Sequence, residues 1–248
     1  DYNGSAEFTF KAWDQSGPDT NDATINGGIT AFSTTAATAQ IEVQHINDAP
    51  EIEAVTVGLD LINEDNLTSS GTLVSALLDE GILEHSDVDQ DVDLNEDDGV
   101  PDPNEGMAII AADNTNGEWE YSTNSGSSWA SITGVSENNA LLLIPTYRIR
   151  FNPTTHYNGN NIILQFKAWD QSDPDGEAGS YINTIPDGGT TAFSETISNI
   201  SIDVQHVNDA PEIDAVTVDL DSINEDNLTS TGTLVSALLD EGILEHSD

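Results

Sequence analysis

The sequence predicts an all-β chain of antiparallel β-sandwich repeats in tandem, with one short helix in each repeat. Three observations lead to this prediction. Apolar side chains alternate with polar ones along short runs, turns rich in Gly, Pro and Asn separate those runs, and one long segment occurs twice. Many short strands joined by polar turns are typical of two sheets packed face to face.

Strands are predicted wherever apolar residues recur at every second position, because successive side chains of a strand point to opposite faces. In residues 162–168, Ile162 and Phe166 share one face, while Gln165 and Lys167 point away from it. A helix of about two turns is predicted over residues 74–80 and ends at Gly81. The other predicted strands of the complete repeat include residues 55–59, residues 119–121 with a hairpin turn at 122–126, residues 147–151 and residues 200–204.

The repeat is nearly identical in its two copies. Residues 45–87 return as residues 206–248, an offset of 161, with substitutions at only five positions. Residues 10–16, Phe-Lys-Ala-Trp-Asp-Gln-Ser, return as residues 166–172 at an offset of 156. Since the two offsets differ by five, the length difference is expected in the polar loops that follow the second motif, where insertions are tolerated.

The Asn-Asp-Ala-Pro tetrapeptides at 47–50 and 208–211 divide the repeats, because proline ends the strand that precedes it. We therefore expect residues 51–211 to form one complete repeat. Residues 1–50 are expected to be the C-terminal strands of a preceding repeat, and residues 212–248 the N-terminal part of the following one. The chain is accordingly interpreted as an interior piece of a longer protein.

The charge of the chain excludes several classes of partner. Against 46 Asp and Glu residues there are only 4 Lys and Arg, so the formal net charge is −42. Such a surface cannot release counterions from phosphates or bind anionic lipids, which excludes nucleic acid and anionic membranes as partners. No apolar run reaches the roughly 18 residues of a membrane span. Cysteine is absent, so divalent cations or concentrated salt are expected to offset the charge repulsion.

Acidic residues concentrate in residues 87–105, where nine of nineteen positions carry a carboxylate. Asp87, Asp89 and Asp91 alternate, so their carboxylates lie on one side of an extended loop and could surround a hard cation at about 2.3–2.6 Å. Val92 stands where a helix-loop-helix calcium site requires glycine, which disfavours that type of site. A solvated acidic surface is the alternative interpretation.

A series of polar motifs follows the predicted elements in a fixed order. They are Ile-Asn-Glu-Asp-Asn at 62–66, Ser-Asp-Val-Asp at 86–89, Lys-Ala-Trp-Asp at 167–170 and Val-Asn-Asp-Ala-Pro at 207–211. This order resembles the cadherin-like repeat, an Ig-like β-sandwich. The hairpin at Trp119 and the Ala-Trp-Asp and Asn-Asp-Ala-Pro motifs resemble in particular the cadherin-like repeats of very large secreted bacterial adhesins and surface proteins. The family's mid-domain Asp-Arg-Glu motif has no counterpart, and Thr-His-Tyr-Asn-Gly at 155–159 stands near its place.

The resemblance implies Ca²⁺ bound between successive repeats. In that family the ligands are a Glu after the first strand, an Asp-x-Asp pair, an Asp closing a late strand and an Asn-Asp before the linker proline. The metal ligands expected here also include Asp91 of the acidic loop. The full set is Glu64 and its counterpart Glu225, Asp87 and its counterpart Asp248, Asp89, Asp91, Asp14, Asp170, Asn47, Asp48, Asn208 and Asp209.

The ligands are expected to converge at the ends of repeats rather than within one loop. At the first junction, Asn47 and Asp48 should meet Asp87, Asp89 and Asp170. At the second junction, Glu64 should lie with Asn208 and Asp209 and await Asp248. Glu64 and Asp87 should therefore belong to opposite ends of the repeat.

Histidine and tryptophan are given structural roles. His45 and His206 lie at strand ends, where a packed or hydrogen-bonded histidine is favoured over a metal ligand. His85, His156 and His246 lie near turns with no Cys or second His at ligand spacing. The four tryptophans could stack on sugars, but packing at a sheet edge or beside a turn is favoured.

The sequence favours a structural extender of a large extracellular adhesin or cell-surface filament, stiffened by calcium. Its expected partners are adjacent repeats of the same chain and neighbouring copies in a filament. One alternative is a surface module that binds carbohydrate or protein through its loops or the Trp119–Trp129 hairpin. Another is a halophilic surface-layer component whose acidity serves hydration. No enzyme is predicted, because the chain has no nucleophile elbow, phosphate loop or ordered Ser/His/Asp group.

Overall fold

The computed structural model describes residues 3–16, 22–66, 68–79, 105–210, 212–213, 219–220, 222–236 and 244–245. These residues form mostly strands and very little helix, which confirms the all-β prediction. The elements are β1 (Gly4–Trp13), β2 (Phe32–Val43), β3 (Thr56–Gly58), β4 (Ile62–Asn63), β5 (Thr72–Leu73), α1 (Val74–Asp79), β6 (Gly106–Ala112), β7 (Gly117–Ser122), β8 (Ala130–Ser131), β9 (Ala140–Leu143), β10 (Arg148–Pro153), β11 (Gly159–Trp169), β12 (Tyr181–Ile182), β13 (Ser198–Gln205), β14 (Glu212–Ile213) and β15 (Leu244–Glu245).

Two sheets build the central part of the chain. The larger has the strand order β12-β9-β6-β11-β13-β3, with β4 also paired to β13, and the smaller has the order β5-β10-β7-β8. Most neighbours are antiparallel, as predicted. The exceptions are β3 and β4, which run parallel to β13. The linker reaches the sheet beside Gly189, to whose carbonyl Ala49 donates at 2.8 Å. Gly189 lies in the segment that leads into β13, so β3 begins at the same end of the sheet as β13 and runs parallel to it.

One apolar core contains side chains from both sheets. The smaller sheet contributes Trp119 and Phe151, whose rings meet edge to face with centroids 5.5 Å apart. The larger sheet contributes the predicted apolar face of β11, including Leu164 and Phe166, both with 0% exposure. The period-two alternation therefore marked the strand face that is buried in this core. Burial of such large side chains from water is the main stabilising term of the repeat.

The other face of the larger sheet is also covered, whereas the alternation of apolar and polar residues along these strands predicts only one buried face, with the other open to solvent. A second apolar cluster there contains Trp169, Ala108, Leu142 and Phe193. Lys167, predicted to point away from the core, does so but is only 1% exposed. The segment between β12 and β13 causes this burial, because Phe193 from that segment packs over the outer face of β11 and β9.

The helix prediction is confirmed over Val74–Asp79, and Glu80 and Gly81 lie outside the described residues. Leu77 and Leu78 face the main core. The preceding segment is held by two arginines of β10: Arg148 donates to the carbonyl of Gly71 at 2.9 Å, and Arg150 donates to that of Ser69 at 3.0 Å. Within the described ranges, no helix has the length and hydrophobicity to cross a membrane.

The flanking strands β1 and β2 copy the pairing of β11 with β13. Phe10 pairs with Ala37 as Phe166 pairs with Ser198, which are the positions that the two sequence offsets relate. Their surroundings differ: Phe10 is 46% exposed and Phe166 is fully buried. The flank thus has the backbone of a repeat's late hairpin without the strands that cover the equivalent face in residues 105–205.

Candidate functional site

At one end of the larger sheet, the Asn-Asp-Ala-Pro linker is bonded to the end of β11. Asn47 Nδ2 donates to Asp170 Oδ2 at 2.9 Å and to the carbonyl of Thr191 at 3.1 Å. Asp170 is only 2% exposed, and its other carboxylate oxygen accepts from the backbone N–H of Ser172 at 2.8 Å. The structure therefore brings together two of the five groups predicted at the first junction.

Asp14 is the counterpart of Asp170 in the flank and has a similar local turn. Asp14 Oδ1 accepts from the hydroxyl and backbone N–H of Ser16 at 2.7 and 2.9 Å. These hydrogen bonds from Ser16 hold the pKa of Asp14 below its usual value. Asp14 is exposed, whereas Asp170 is buried. The same sequence motif thus yields two environments because only Asp170 has a linker packed over it.

At the opposite end of the sheet, Glu64 is bonded to the chain that leaves β13. Its backbone N–H donates to the carbonyl of Gln205 at 3.0 Å. Its side chain is 1% exposed and accepts from the backbone N–H of Val207 at 2.5 Å and lies 3.0 Å from His206 Nδ1. Asn158 Nδ2 donates to its second oxygen at 3.4 Å. The backbone bond from Val207 lowers the pKa of Glu64, although burial acts in the opposite direction.

A further group of polar side chains lies beside Glu64. The ligand atoms of Asp65, His156 and Asp209 all lie within 4.8 Å of one another. His156 Nδ1 lies 2.8 Å from Asp209 Oδ2. His156 sits in the turn between β10 and β11 with φ of 60°, a left-handed conformation that histidine adopts more readily than most residues. The three groups come from three distant parts of the sequence.

The donor chemistry of this end fits a hard cation only in part. The carboxylates of Asp65 and Asp209 are ligands that Ca²⁺ prefers, but calcium sites need about six to eight oxygens. His156 offers nitrogen, which suits transition metals better. Asp248, a further ligand predicted at this junction, lies outside the described residues.

The two ends lie far apart. Asp170 follows the C-terminal end of β11, whereas His206 follows the C-terminal end of β13, and these strands are antiparallel neighbours. A strand of 11 residues such as β11 spans roughly 30 Å. Glu64 and Asp170 therefore belong to opposite ends of the sheet. Asp87, which the sequence placed at the end opposite Glu64, lies outside the described residues, so that prediction stays a prediction.

The remaining predicted ligands are placed as follows. Asp48 is half-buried next to Asn47, and Asn47 Nδ2 also lies 3.1 Å from its carbonyl. Asn208 is exposed, and its side chain donates to the carbonyl of Asp209 at 2.9 Å. Glu225 is exposed. The predicted ligands Asp87, Asp89, Asp91 and Asp248 lie outside the described residues.

Sequence reasoning missed the role of His156 and gave Asp65 none. His156 was assigned to a turn without ligand partners, because no second histidine or cysteine stands at ligand spacing. Its neighbour Asp209 is 53 residues away, and only the pairing of β11 with β13 brings them together. The Asp65 signal was present, since it follows Glu64 directly in the repeated Glu-Asp motif. His206 is hydrogen-bonded to Glu64, as favoured, although its side chain is 49% exposed.

The tryptophans divide by exposure. Trp119 and Trp169 are 0% and 1% exposed and belong to the two apolar clusters. Trp129 lies under the guanidinium of Arg150, 4.1 Å from the ring centroid to Cζ. Trp13 is 52% exposed and stacks on Phe32. Each of the four rings is thus engaged in core packing, ring stacking or a cation–π contact, as the sequence interpretation favoured.

Comparisons with protein-family models, with curated proteins and with solved structures find no match to this chain. The functional assignment therefore rests on the residues and their geometry alone.

Proposed function

We propose that the chain is a structural extender: a calcium-stiffened array of Ig-like, cadherin-like β-sandwich repeats in a large extracellular adhesin or cell-surface filament. The proposal assigns no enzymatic activity. Its partners are the adjacent repeats of the same protein, with neighbouring copies as a further possibility in a filament.

The observation that carries this proposal is the convergence of repeated motif residues at opposite ends of one sheet. Asn47 bonds Asp170 at one end, and Glu64 bonds Val207 at the other. Both contacts join a linker-side segment to a strand more than one hundred residues away in sequence. An extender needs this arrangement, because each repeat must be fixed to the next at its ends.

The charge of the ends supports a role for a divalent ion. Asp65 and Asp209 place two carboxylates within 4.8 Å in a chain with a net charge of −42. Such carboxylates repel one another unless a cation or proton neutralises them. Calcium bound by Asp65 and Asp209 at one end, and by Asp170 with Asp48 at the other, would supply that neutralisation and fix the angle between repeats.

The sandwich assignment is supported by the shared core. Side chains of β7 and β10 in the smaller sheet share one core with side chains of β6, β11 and β13 in the larger sheet. Two sheets with one apolar interior are the defining feature of Ig-like architectures. The helix α1 covers part of the same core.

The glycan-binding alternative receives less support. A sugar platform requires an aromatic face open to solvent, and Trp119 is fully buried against Phe151. The halophilic alternative predicts that stability depends on total salt, whereas the extender predicts that it depends on calcium. The experiment below distinguishes the two.

The test is calcium titration of the whole chain at constant ionic strength, with the unfolding transition followed by circular dichroism. Extracellular calcium modules bind at about 10⁻⁴ to 10⁻³ M. At a free ion concentration ten times the dissociation constant, each independent site adds RT ln 11, about 1.4 kcal/mol. The extender requires a higher Tm in calcium than in chelator. A Tm that follows only total salt supports the halophilic alternative, and saturable sugar affinity in both conditions supports the glycan binder.

A further inference from the structure

A buried lysine lies on the outer face of the larger sheet, three residues before Asp170. Lys167 on β11 is 1% exposed, pairs with Ala108 of β6 and shares a strand face with Trp169, and both of these neighbours belong to the second apolar cluster. Charged lysines are almost never fully buried unless they are paired. The pairing partners of Lys167 therefore decide what this residue does.

Lys167 meets two carboxylates that come from two different loops. Its Nζ is in direct hydrogen-bond contact with Asp187 Oδ2 and lies 3.1 Å from Glu137 Oε1. The loops are tied to each other, because the buried Thr184 donates to the carbonyl of Glu137 through its backbone N–H at 2.8 Å and its hydroxyl at 3.0 Å. The fold thus holds the amine of Lys167 in contact with the carboxyl groups of both Asp187 and Glu137.

The equivalent loop in the flank provides an independent observation. In both copies a glycine donates to a phenylalanine carbonyl at 2.8 Å, Gly188 to Phe193 and Gly27 to Phe32. The residue before that glycine is Asp187 in one copy and Asn26 in the other. Both follow a strand with the identical Phe-Lys-Ala-Trp motif. Aspartate and asparagine yield the same amide on reaction with a lysine, with loss of water and of ammonia respectively.

We propose that Lys167 Nζ and Asp187 Cγ become joined by an intramolecular isopeptide bond, with Glu137 as the proton-transfer group. The N–C bond forms as the amine attacks the carboxyl carbon, and the C–O bond to one carboxyl oxygen breaks. Glu137 accepts a proton from the lysine nitrogen and passes it to the departing oxygen. The ammonium and carboxylate together lose one molecule of water, so atoms and charge balance without an oxidant, reductant or co-reactant.

The surroundings favour this reaction over a persistent ion pair. Burial lowers the pKa of Lys167, but its hydrogen bonds to Asp187 and Glu137 outweigh that effect and raise it. Burial of a charged pair carries a desolvation cost, which condensation to a neutral amide removes. Fixed proximity of the reacting atoms supplies an effective concentration far above any attainable in solution. A positioned carboxylate provides the general acid-base step.

The flank supplies a control within the same chain. Lys11 is only partly buried, and its Nζ donates to the carbonyl of Ala23 at 3.2 Å. Asn26 Nδ2 donates to the same carbonyl at 3.3 Å. Among the described residues, no carboxylate lies within ion-pair distance of Lys11. We therefore expect Lys11 and Asn26 to remain unlinked in this chain.

The test is mass spectrometry of the whole denatured chain. The expected result is an intact mass lower than the sequence mass by one water. Cleavage after glutamate separates residues 138–177, which contain Lys167, from residues 178–195, which contain Asp187. These two peptides should appear as one branched species, whereas residues 8–42 should keep their sequence mass.

Variants assign the roles. Glu137→Gln should fold, as judged by circular dichroism, and keep the full sequence mass. Asp187→Asn should reach the same final mass as the wild type, because loss of ammonia from asparagine gives the same product. Lys167→Arg serves as the unreactive reference. A folded wild-type chain whose denatured mass equals its sequence mass overturns the proposal and leaves an ion pair. Full linkage in Glu137→Gln overturns the role of Glu137.

Discussion

Asn47 and Asp170 are 123 residues apart in the sequence and joined by a hydrogen bond of 2.9 Å. The contact fixes the linker that enters the repeat to the C-terminal end of β11, an interior strand of the larger sheet. Its acceptor is buried and its donor half-buried. Loss of this amide side chain would leave a buried carboxylate without one of its donors.

Asn47→Ala is expected to destabilise the repeat by about 1–2 kcal/mol, because the buried carboxylate of Asp170 loses a donor. The measurement is urea unfolding followed by tryptophan fluorescence. The matched control is Asn208→Ala at the equivalent position of the second motif. Asn208 is exposed and bonds only its neighbour's carbonyl among the contacts described, so its loss should cost less than about 0.5 kcal/mol. Equal effects of the two variants would contradict the structural role of Asn47.

Glu64→Gln is expected to make the Tm fall less steeply as the pH is lowered from 7 into the acid range. Because the folded-state pKa of Glu64 is lowered from its usual 4.5, its contribution is present above that value and is lost as the pH falls through the folded-state pKa. Below the ordinary carboxyl range the wild type and the variant should converge. The measurement is the Tm between pH 7 and acid pH.

Glu225→Gln is the control for that experiment, since Glu225 occupies the same motif position but is exposed. Its profile should follow that of the wild type. If Glu64→Gln keeps the wild-type acid sensitivity while Glu225→Gln loses it, the assignment of the acid-labile contact to Glu64 is wrong.

Phe166→Ala is expected to cost about 3–5 kcal/mol, since it removes a fully buried ring from the core. Phe10→Ala changes the same residue of the same motif, but Phe10 is 46% exposed. Its loss should leave the main unfolding transition within about 0.5 kcal/mol of the wild type. Thermal unfolding of both variants measures the difference, and a comparable loss in Phe10→Ala would show that the flank contributes to the central core.

Asp209→Asn is expected to reduce the calcium-dependent rise in Tm, because it removes charge from the group formed with Asp65 and His156. Asp175→Asn makes the same chemical change at an exposed loop position and should leave the calcium response intact. Calcium titrations of both variants at constant ionic strength measure the responses. An unchanged response in Asp209→Asn would remove this residue from the set of ligands.

Much of the fold could be predicted because its signals are local. Alternation along residues 162–168 marked the buried face of β11, and the short helix followed from the residues that form it. The burial of Lys167 could not be predicted in this way. It depends on a distant loop that carries Phe193 across the sheet, and residue type alone assigned lysine to solvent.

The candidate site divides in the same manner. The repeated Asn-Asp and Glu-Asp motifs predicted that Asn47, Glu64 and Asp209 lie at the ends of the repeat. The partnership of Asp209 with His156 depends on the register of β11 against β13, which no short motif encodes. The parallel direction of β3 was missed for a related reason, since alternation identifies a strand but not its orientation.

That parallel direction has a mechanical consequence. The chain enters the central sheet through β3 and leaves it through β13, and the two strands lie side by side. Tension on the two ends would draw them past each other in shear. The bonds Asn199 N–H to Val55, Leu59 N–H to Ser201 and Glu64 N–H to Gln205 span the two segments, with lengths of 2.8, 2.8 and 3.0 Å. They would bear the load together rather than open one after another, so the first and last segments of the repeat form a joint that resists stretching.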